Sequence, residues 1–455
     1  MKTRKFLPLT LLALSAAVLT ACGGGGDDPT PPPSPTARAT VVFGQQMGKA
    51  SAAEIDAGTQ ASGLQPISGK AKCGVDVRYV QYYTIDPKNQ PVTATTAVLV
   101  PNGSDAACSG ERPVVLHAHG TTTLKSYNMA QVSSNQEAAL MMAMYAAQGF
   151  IVVAPNYVGY DLSSLNYHPY LNAEQQAADM VDALRAAKKD LAANSAVKPS
   201  SKLLLTGYSQ GGHVAMATHK IIERDYASEF TVTASAPMSG PYNLVKMGDV
   251  VTGPGPINAG ATLFVPLLMT SYQNAYGGLY ASPSEVYQAP FDQSAPTLFP
   301  TDTPVATLMA QGKLPADPTL TKLFGTGGLL TDGFRSGYQN SNYRKALQTN
   351  TLLGWAPKRP MVLCAGGQDP TVFFFNTTDV QADFASRGAT VPAWNLENRA
   401  SMPAGAAFDT AYGGFQLAKA AAGANAQAQY HGGLVPPFCH ALARGYFQQV
   451  LASGQ

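Results

Sequence analysis

A serine hydroxyl is a poor nucleophile until it is held clear of its own backbone beside a base. Gly207-Tyr208-Ser209-Gln210-Gly211 has the residue types and spacing that achieve this. In such a turn a strand leads in, a helix leads out, and the flanking positions tolerate little beyond glycine. Here Leu203-Leu204-Leu205-Thr206 is a β-prone approach and Gln210-Gly211-Gly212 opens a helix. The pattern also arises by chance in ordinary glycine-rich turns, so its weight comes from this context and from partners farther along.

The proton of that hydroxyl needs an imidazole oriented by a carboxylate. Asp369 follows the apolar run Met361-Val362-Leu363-Cys364 in a short turn, after Ser209 in chain order; an aspartate before proline is otherwise a common structural turn. Two late histidines qualify as the base. His431, in Tyr430-His431-Gly432-Gly433, reads as part of a flexible loop ahead of the final helix, and is preferred. His440 falls at the start of that helix, where packing is the usual role, and is the alternative. The helix after Ser209 would carry His213 away from the hydroxyl. An oxyanion hole requires two backbone N–H groups aimed at the developing charge. Gln210 is expected to give one and Thr121, in His119-Gly120-Thr121-Thr122, the other, with Thr122 next in line. His117 and His119 read as supports of that loop.

These residues must be delivered by strand ends. From residue 70 onward, short apolar or β-branched runs alternate with helical patterns, which predicts a mostly parallel sheet with helices on both faces. Residues 78–86 and 92–101 read as an opening antiparallel pair, and 112–117, 150–154, 202–207, 231–238 and 359–364 as later strands. Helices are expected over 135–148, with Ser134 and Glu137 at capping-box spacing, over 172–193 behind Asn172, over 210–224 and over 375–387. Residues 240–358 break the rhythm with Gly, Pro, Tyr, Leu and Met. The segment is too long for a plain loop and reads as an inserted cap. The core then comprises 41–239 and 359–455, with a further helical pattern in the long interval between Asp369 and His431.

The chain of 455 residues opens as an exported protein does. Lys2, Arg4 and Lys5 precede the apolar run 6–18, and small residues lead to Cys22. Residues 1–21 therefore read as a signal peptide, and 22–40 as a flexible Gly- and Pro-rich tether. Without the signal, 27 basic residues face 28 acidic ones, a formal charge of −1. With no basic patch, nucleic acid is not an expected partner. Cys73, Cys108, Cys364 and Cys439 are an even set in an exported chain, for which disulfides are the expectation. Three pairings are possible; chain order favours Cys73 with Cys108 and Cys364 with Cys439. No CxxC or HExxH spacing suggests a metal.

Cys22 and the residues before it resemble the lipobox of bacterial lipoproteins, which implies a lipidated Cys22 holding the domain at the cell envelope, at the outer membrane or surface, or released from it. The Ser209, Asp369 and His119-Gly120-Thr121 motifs, with Pro155-Asn156-Tyr157-Val158-Gly159 and a late histidine, resemble the α/β-hydrolase superfamily and, more narrowly, the secretory lipase family of the lipase A type, over about residues 75–450. The resemblance implies an α/β-hydrolase fold with an inserted, largely helical cap, and ester hydrolysis through an acyl-serine intermediate without metal or cofactor. The substrate would be a small-molecule, lipid or polymer ester with an apolar acyl or aromatic group. A serine aminopeptidase or other amidase would use the same groups, and a non-catalytic surface binding module would need none of them.

Overall fold

The structure is a computed structural model that describes residues 38–454. The signal peptide, Cys22 and most of the tether lie outside these residues. Nine strands form one sheet: β1 (Val41–Ala50), β2 (Gly74–Ile85), β3 (Pro91–Asn102), β4 (Glu111–Ala118), β5 (Ile151–Pro155), β6 (Lys198–Tyr208), β7 (Val232–Met238), β8 (Leu363–Ala365) and β9 (Ala393–Asn395). Their spatial order is β1-β2-β3-β5-β4-β6-β7-β8-β9. The first four in that order pair antiparallel, and all pairings from β5 onward are parallel.

Alternation along the central strands explains the layers. Successive side chains point to opposite faces of a strand. Thus Val115, Val152 and Leu204 join the core on one face, while Val114, Leu116, Ile151, Val153, Leu203 and Leu205 join the core on the other. All are buried, each contributing about 1.5–3 kcal/mol relative to exposure. The helices Gln136–Met144 and Val435–Ala452 add side chains to the first core, and Ala173–Asn194 and Gln210–Asp225 to the second.

Several elements depart from the sequence expectations. Strand β1 and the helix Ala52–Ala61 were not anticipated: β1 is an edge strand whose side chains are mostly exposed, so it carries little apolar alternation. The helix predicted over 135–148 ends at Met144 and is followed by a tighter turn, Ala146–Gln148, that stops at Gly149 with φ 95°. Its cap is Asn135, whose side chain accepts from Ala138 N at 3.0 Å, in place of Ser134. The strand predicted over 359–364 shortens to β8, with Met361 making only an isolated bridge to Ser235.

Between β7 and β8 the chain builds the insertion from the helices Leu244–Thr252, Ala261–Tyr276, Val305–Ala310, Asp332–Gly337 and Asn342–Asn350, with several single turns. It has its own apolar core, in which Leu267, Met269, Tyr272, Leu308 and Leu330 are essentially inaccessible. It meets the carboxyl ends of the strands where Ala259 N donates to Pro370 O at 3.0 Å. Disulfides join Cys73 to Cys108 and Cys364 to Cys439. Among the described residues no helix is long and apolar enough to cross a membrane.

Candidate active site

Strand β6 ends at Tyr208 and the helix Gln210–Asp225 begins two residues later, leaving Ser209 as the corner. Its φ of 61° and ψ of −123° are sparsely populated for a residue with a side chain and cost about 1–3 kcal/mol. Only glycine lets the chain pass so close to its neighbours. A Cβ on Gly211 would lie 1.9 Å from the Ala118 carbonyl oxygen, and one on Gly207 2.3 Å from that of Gly211.

Three residues far apart in the chain converge here. His431 Nε2 lies 2.7 Å from Ser209 Oγ, and His431 Nδ1 2.6 Å from Asp369 Oδ2. The other carboxylate oxygen of Asp369 accepts from Thr371 N at 2.9 Å and Val372 N at 3.0 Å, which fixes the group. Since a carboxylate can only accept, these partners assign the Nδ1 proton to the Asp369 side and leave Nε2 as acceptor for the serine hydroxyl.

His431 is not on a loop. It sits in a π-helical turn, Tyr430–Leu434, that runs directly into the helix Val435–Ala452. Pro436 and Pro437 have no N–H to continue the preceding ladder, and the helix is wider there; such single turns recur at functional sites. The turn is braced by Tyr430, whose hydroxyl donates to Glu397 at 2.6 Å and accepts from Gln368 N at 3.2 Å.

The other histidines lie elsewhere. His440 is buried, with Nδ1 3.1 Å from the Tyr145 hydroxyl and its ring 5.5 Å from that of His117. Burial, aided by His117, pushes its pKa down to about 3. His213 donates from Nε2 to Asn350 O at 2.9 Å and is lowered by burial to about 4. Neither imidazole bonds to the Ser209 hydroxyl; His213 meets Ser209 only through its backbone N–H, which donates to Ser209 O at 3.3 Å.

Gln210 is the first residue of its helix, so its N–H has no intrahelical acceptor and lies at the positive end of the helix dipole. Its side chain is drawn aside: Nε2 donates to His168 Nε2 at 2.6 Å, while His168 Nδ1 donates to Val158 O at 2.8 Å. Burial lowers His168 to about 3, keeping it neutral and able to accept. On the opposite side, Thr121 Oγ1 lies 2.8 Å from the Tyr170 hydroxyl. The preceding Gly120 is close enough that a Cβ there would be 3.9 Å from that of Ser209. Thr122 instead accepts from Tyr160 through its carbonyl and from Leu124 N through its hydroxyl.

Two residues beside this site carry no sequence signal of a role in it. His168 lies in no motif. Glu137 has capping-box spacing from Ser134, yet its carboxylate turns to His117 and Gly120.

A cavity opens over Ser209 and Gln210 beneath the insertion. Leu244, Met247, Val251, Phe264, Leu268 and Leu347 form much of its wall, and no Asp, Glu, Lys or Arg lines it. Among the described residues no group of three or more His, Cys, Asp or Glu is placed to hold a metal ion.

A family model for secretory lipases matches residues 125–298. No curated protein sequence matches the chain. Among solved structures, the rice cell wall degrading esterase LipA from Xanthomonas oryzae is similar, with 28% identity and a TM-score of 0.74 over 92% of this chain and 100% of that one. A hydrolase from Legionella pneumophila described as putative has 19% identity and a TM-score of 0.68, covering 90% and 98%. Candida antarctica lipase A has 13% identity and a TM-score of 0.56, covering 79% and 76%. The mostly parallel sheet, its flanking helices and its helical insertion are those of the α/β-hydrolase fold, and that is the fold of this chain.

Proposed function

We propose that this protein is an exported serine hydrolase of carboxylic esters that works through an acyl-serine intermediate. The observation that carries the reading is the chain of contacts from Ser209 Oγ through His431 to Asp369, at 2.7 and 2.6 Å. Ser209 Oγ attacks the ester carbonyl as His431 Nε2 takes its proton, and Asp369 stabilises the imidazolium. The N–H groups of Gln210 and Thr121 receive the oxyanion. The carbon–oxygen bond to the alcohol then breaks, with His431 returning the proton to the leaving oxygen. Water, deprotonated by His431, attacks the acyl-serine and releases the acid and the free serine.

The cavity wall favours apolar acyl or aromatic groups. A secreted aminopeptidase is the rival enzyme, and it needs an acidic group for the substrate amine; none lines this cavity. A binding module would have no use for the Ser209 corner and its backbone cost. Similarity to a cell wall degrading esterase makes polymer-borne esters substrates to assay.

The test is a series of para-nitrophenyl esters of increasing chain length, run on the wild type, Ser209→Ala, His431→Ala and His440→Ala. Loss in the first two variants with retention in His440→Ala is the expected result. Undiminished turnover by Ser209→Ala refutes the mechanism, and loss confined to His440→Ala reassigns the base.

The membrane anchor rests on the sequence around Cys22 alone. Metabolic labelling with an alkynyl fatty acid should mark the wild type and not Cys22→Ala; equal labelling of the two rejects the anchor.

A further inference from the structure

An oxyanion hole works only if its donors are fixed before charge develops. Gln210 is held by a helix, but Thr121 follows a glycine beyond the end of β4 and belongs to no element. Glycine leaves its own φ and ψ unusually free, so something else must set the direction of the Thr121 N–H.

Both sides of Gly120 are tied. On its amide side, Gly120 N donates to the Glu137 carboxylate, 3.1 Å from one oxygen and 3.2 Å from the other. On its carbonyl side, Gly120 O lies 2.7 Å from His119 Nδ1. That carbonyl shares a planar trans peptide with the Thr121 N–H, so the two point in opposite directions. Holding the carbonyl toward His119 therefore turns the N–H away from it.

The ties are themselves anchored. Glu137 lies in the first turn of the helix Gln136–Met144. Its carboxylate meets His117 Nε2 at 2.9 Å and accepts from the Tyr127 hydroxyl at 3.2 Å. His117 and His119 are completely buried, and His119 is stacked on Tyr157 with ring centroids 4.0 Å apart. Burial would raise the Glu137 carboxyl, but the hydrogen bond from His117 holds it down at about 2, so it stays an acceptor.

We infer that Glu137 is a positioning residue for ester hydrolysis: with His119 it clamps Gly120 so that the Thr121 N–H faces the oxyanion formed at Ser209. The inference rests on the serine-hydrolase reading above. Glu137 touches neither substrate nor reacting atoms and acts only through the Gly120 peptide.

The experiment compares wild type, Glu137→Gln, Glu137→Ala and Ser209→Ala on para-nitrophenyl butyrate, with thermal unfolding as a fold control and inhibition by phenylboronic acid as a second readout. Boronic acids form a tetrahedral anion on the serine and use the same donors as the oxyanion. Removing one oxyanion donor costs about 100- to 1,000-fold in kcat; misaiming one is expected to cost about 10-fold in Glu137→Gln and about 100-fold in Glu137→Ala. KM should change by less than about 3-fold, and boronate affinity should fall in step with kcat.

Wild-type kcat and boronate affinity in a folded Glu137→Gln overturn the inference, as does a loss confined to KM. If Glu137→Ala does not fold, Glu137→Gln, close in size and able to keep one acceptor oxygen, decides the question. Turnover by Ser209→Ala would instead remove the serine reading beneath it, so the two failures are distinct.

Discussion

Cys439, eight residues beyond His431, is bonded to Cys364, five residues before Asp369. Asp369 and His431 therefore sit on two segments that a covalent bridge joins near the site, in addition to the 2.6 Å contact between the two side chains. Breaking the bridge by Cys364→Ser with Cys439→Ser is expected to lower stability by about 2–5 kcal/mol. Activity below the new melting temperature should fall severalfold through loosened contact between the two groups. Denaturant unfolding and esterase assays on the same samples check both parts, and full activity in the folded double variant would mean that the contact needs no such brace.

Asp369 Oδ1 accepts two backbone N–H groups while Oδ2 meets His431. Asp369→Asn should keep the turn through its carbonyl oxygen but set the amide group against His431 Nδ1. The imidazole must then place its proton on Nε2, facing Ser209, and can no longer accept. A fall in kcat of about 10⁴-fold with little change in melting temperature is the expected outcome. A loss below tenfold would remove Asp369 from the proposed mechanism.

Stability should decline in acid through the buried histidines. His168 and His440 are lowered to about 3 and His213 to about 4, all chiefly by burial, whereas an unfolded histidine titrates near 6.5. The unfolded chain therefore binds more protons at each site below about pH 6.5. The stability they confer is complete above that pH and is lost as pH falls toward 4 for His213 and toward 3 for His168 and His440. Each contributes a slope of about 1.4 kcal/mol per pH unit within the window. Buried Asp179, raised to about 7, has the opposite sign, since its folded form keeps a proton that the unfolded form releases. Comparing melting curves of wild type and His440→Gln at pH 7, 6 and 5 isolates one histidine: the variant should lose stability less steeply on acidification. Parallel curves would show that His440 titrates normally in the fold.

Leu204 tests the layer argument. It is fully buried on the face opposite Leu203 and Leu205, in the strand that leads to Ser209. Leu204→Ala should cost about 2–5 kcal/mol and leave kcat of the folded fraction within a factor of a few. Guanidinium unfolding measures the first and active-site titration the second.

Much of this arrangement could be read from the residues because local chemistry and tertiary placement agree. Asn172 caps the helix Ala173–Asn194 by accepting from Gln175 N at 3.1 Å, and the glycines around Ser209 have no room for a side chain. What could not be read depends on contacts between distant segments. Glu137 has the spacing of a cap residue, and only the fold brings the loop after β4 within its reach. His168 contacts Gln210 across 42 residues. For His431, the glycines after it suggested a loop, but packing of Tyr430 and Leu434 into the core keeps the segment helical. Strand β1 pairs with β2 along an exposed edge, so backbone hydrogen bonding specifies it more than apolar pattern does.

Because His431 lies on the turn leading into the helix Val435–Ala452, a chain emerging amino end first lays down all nine strands before it reaches this histidine. Ser209 and Asp369 are therefore both synthesised before the imidazole that links them. Cys439 comes later still, so the bridge to Cys364 can close only once His431 is in the chain. A chain cut short before residue 431 would hold the complete sheet and the Ser209 corner but lack the imidazole that meets the serine hydroxyl.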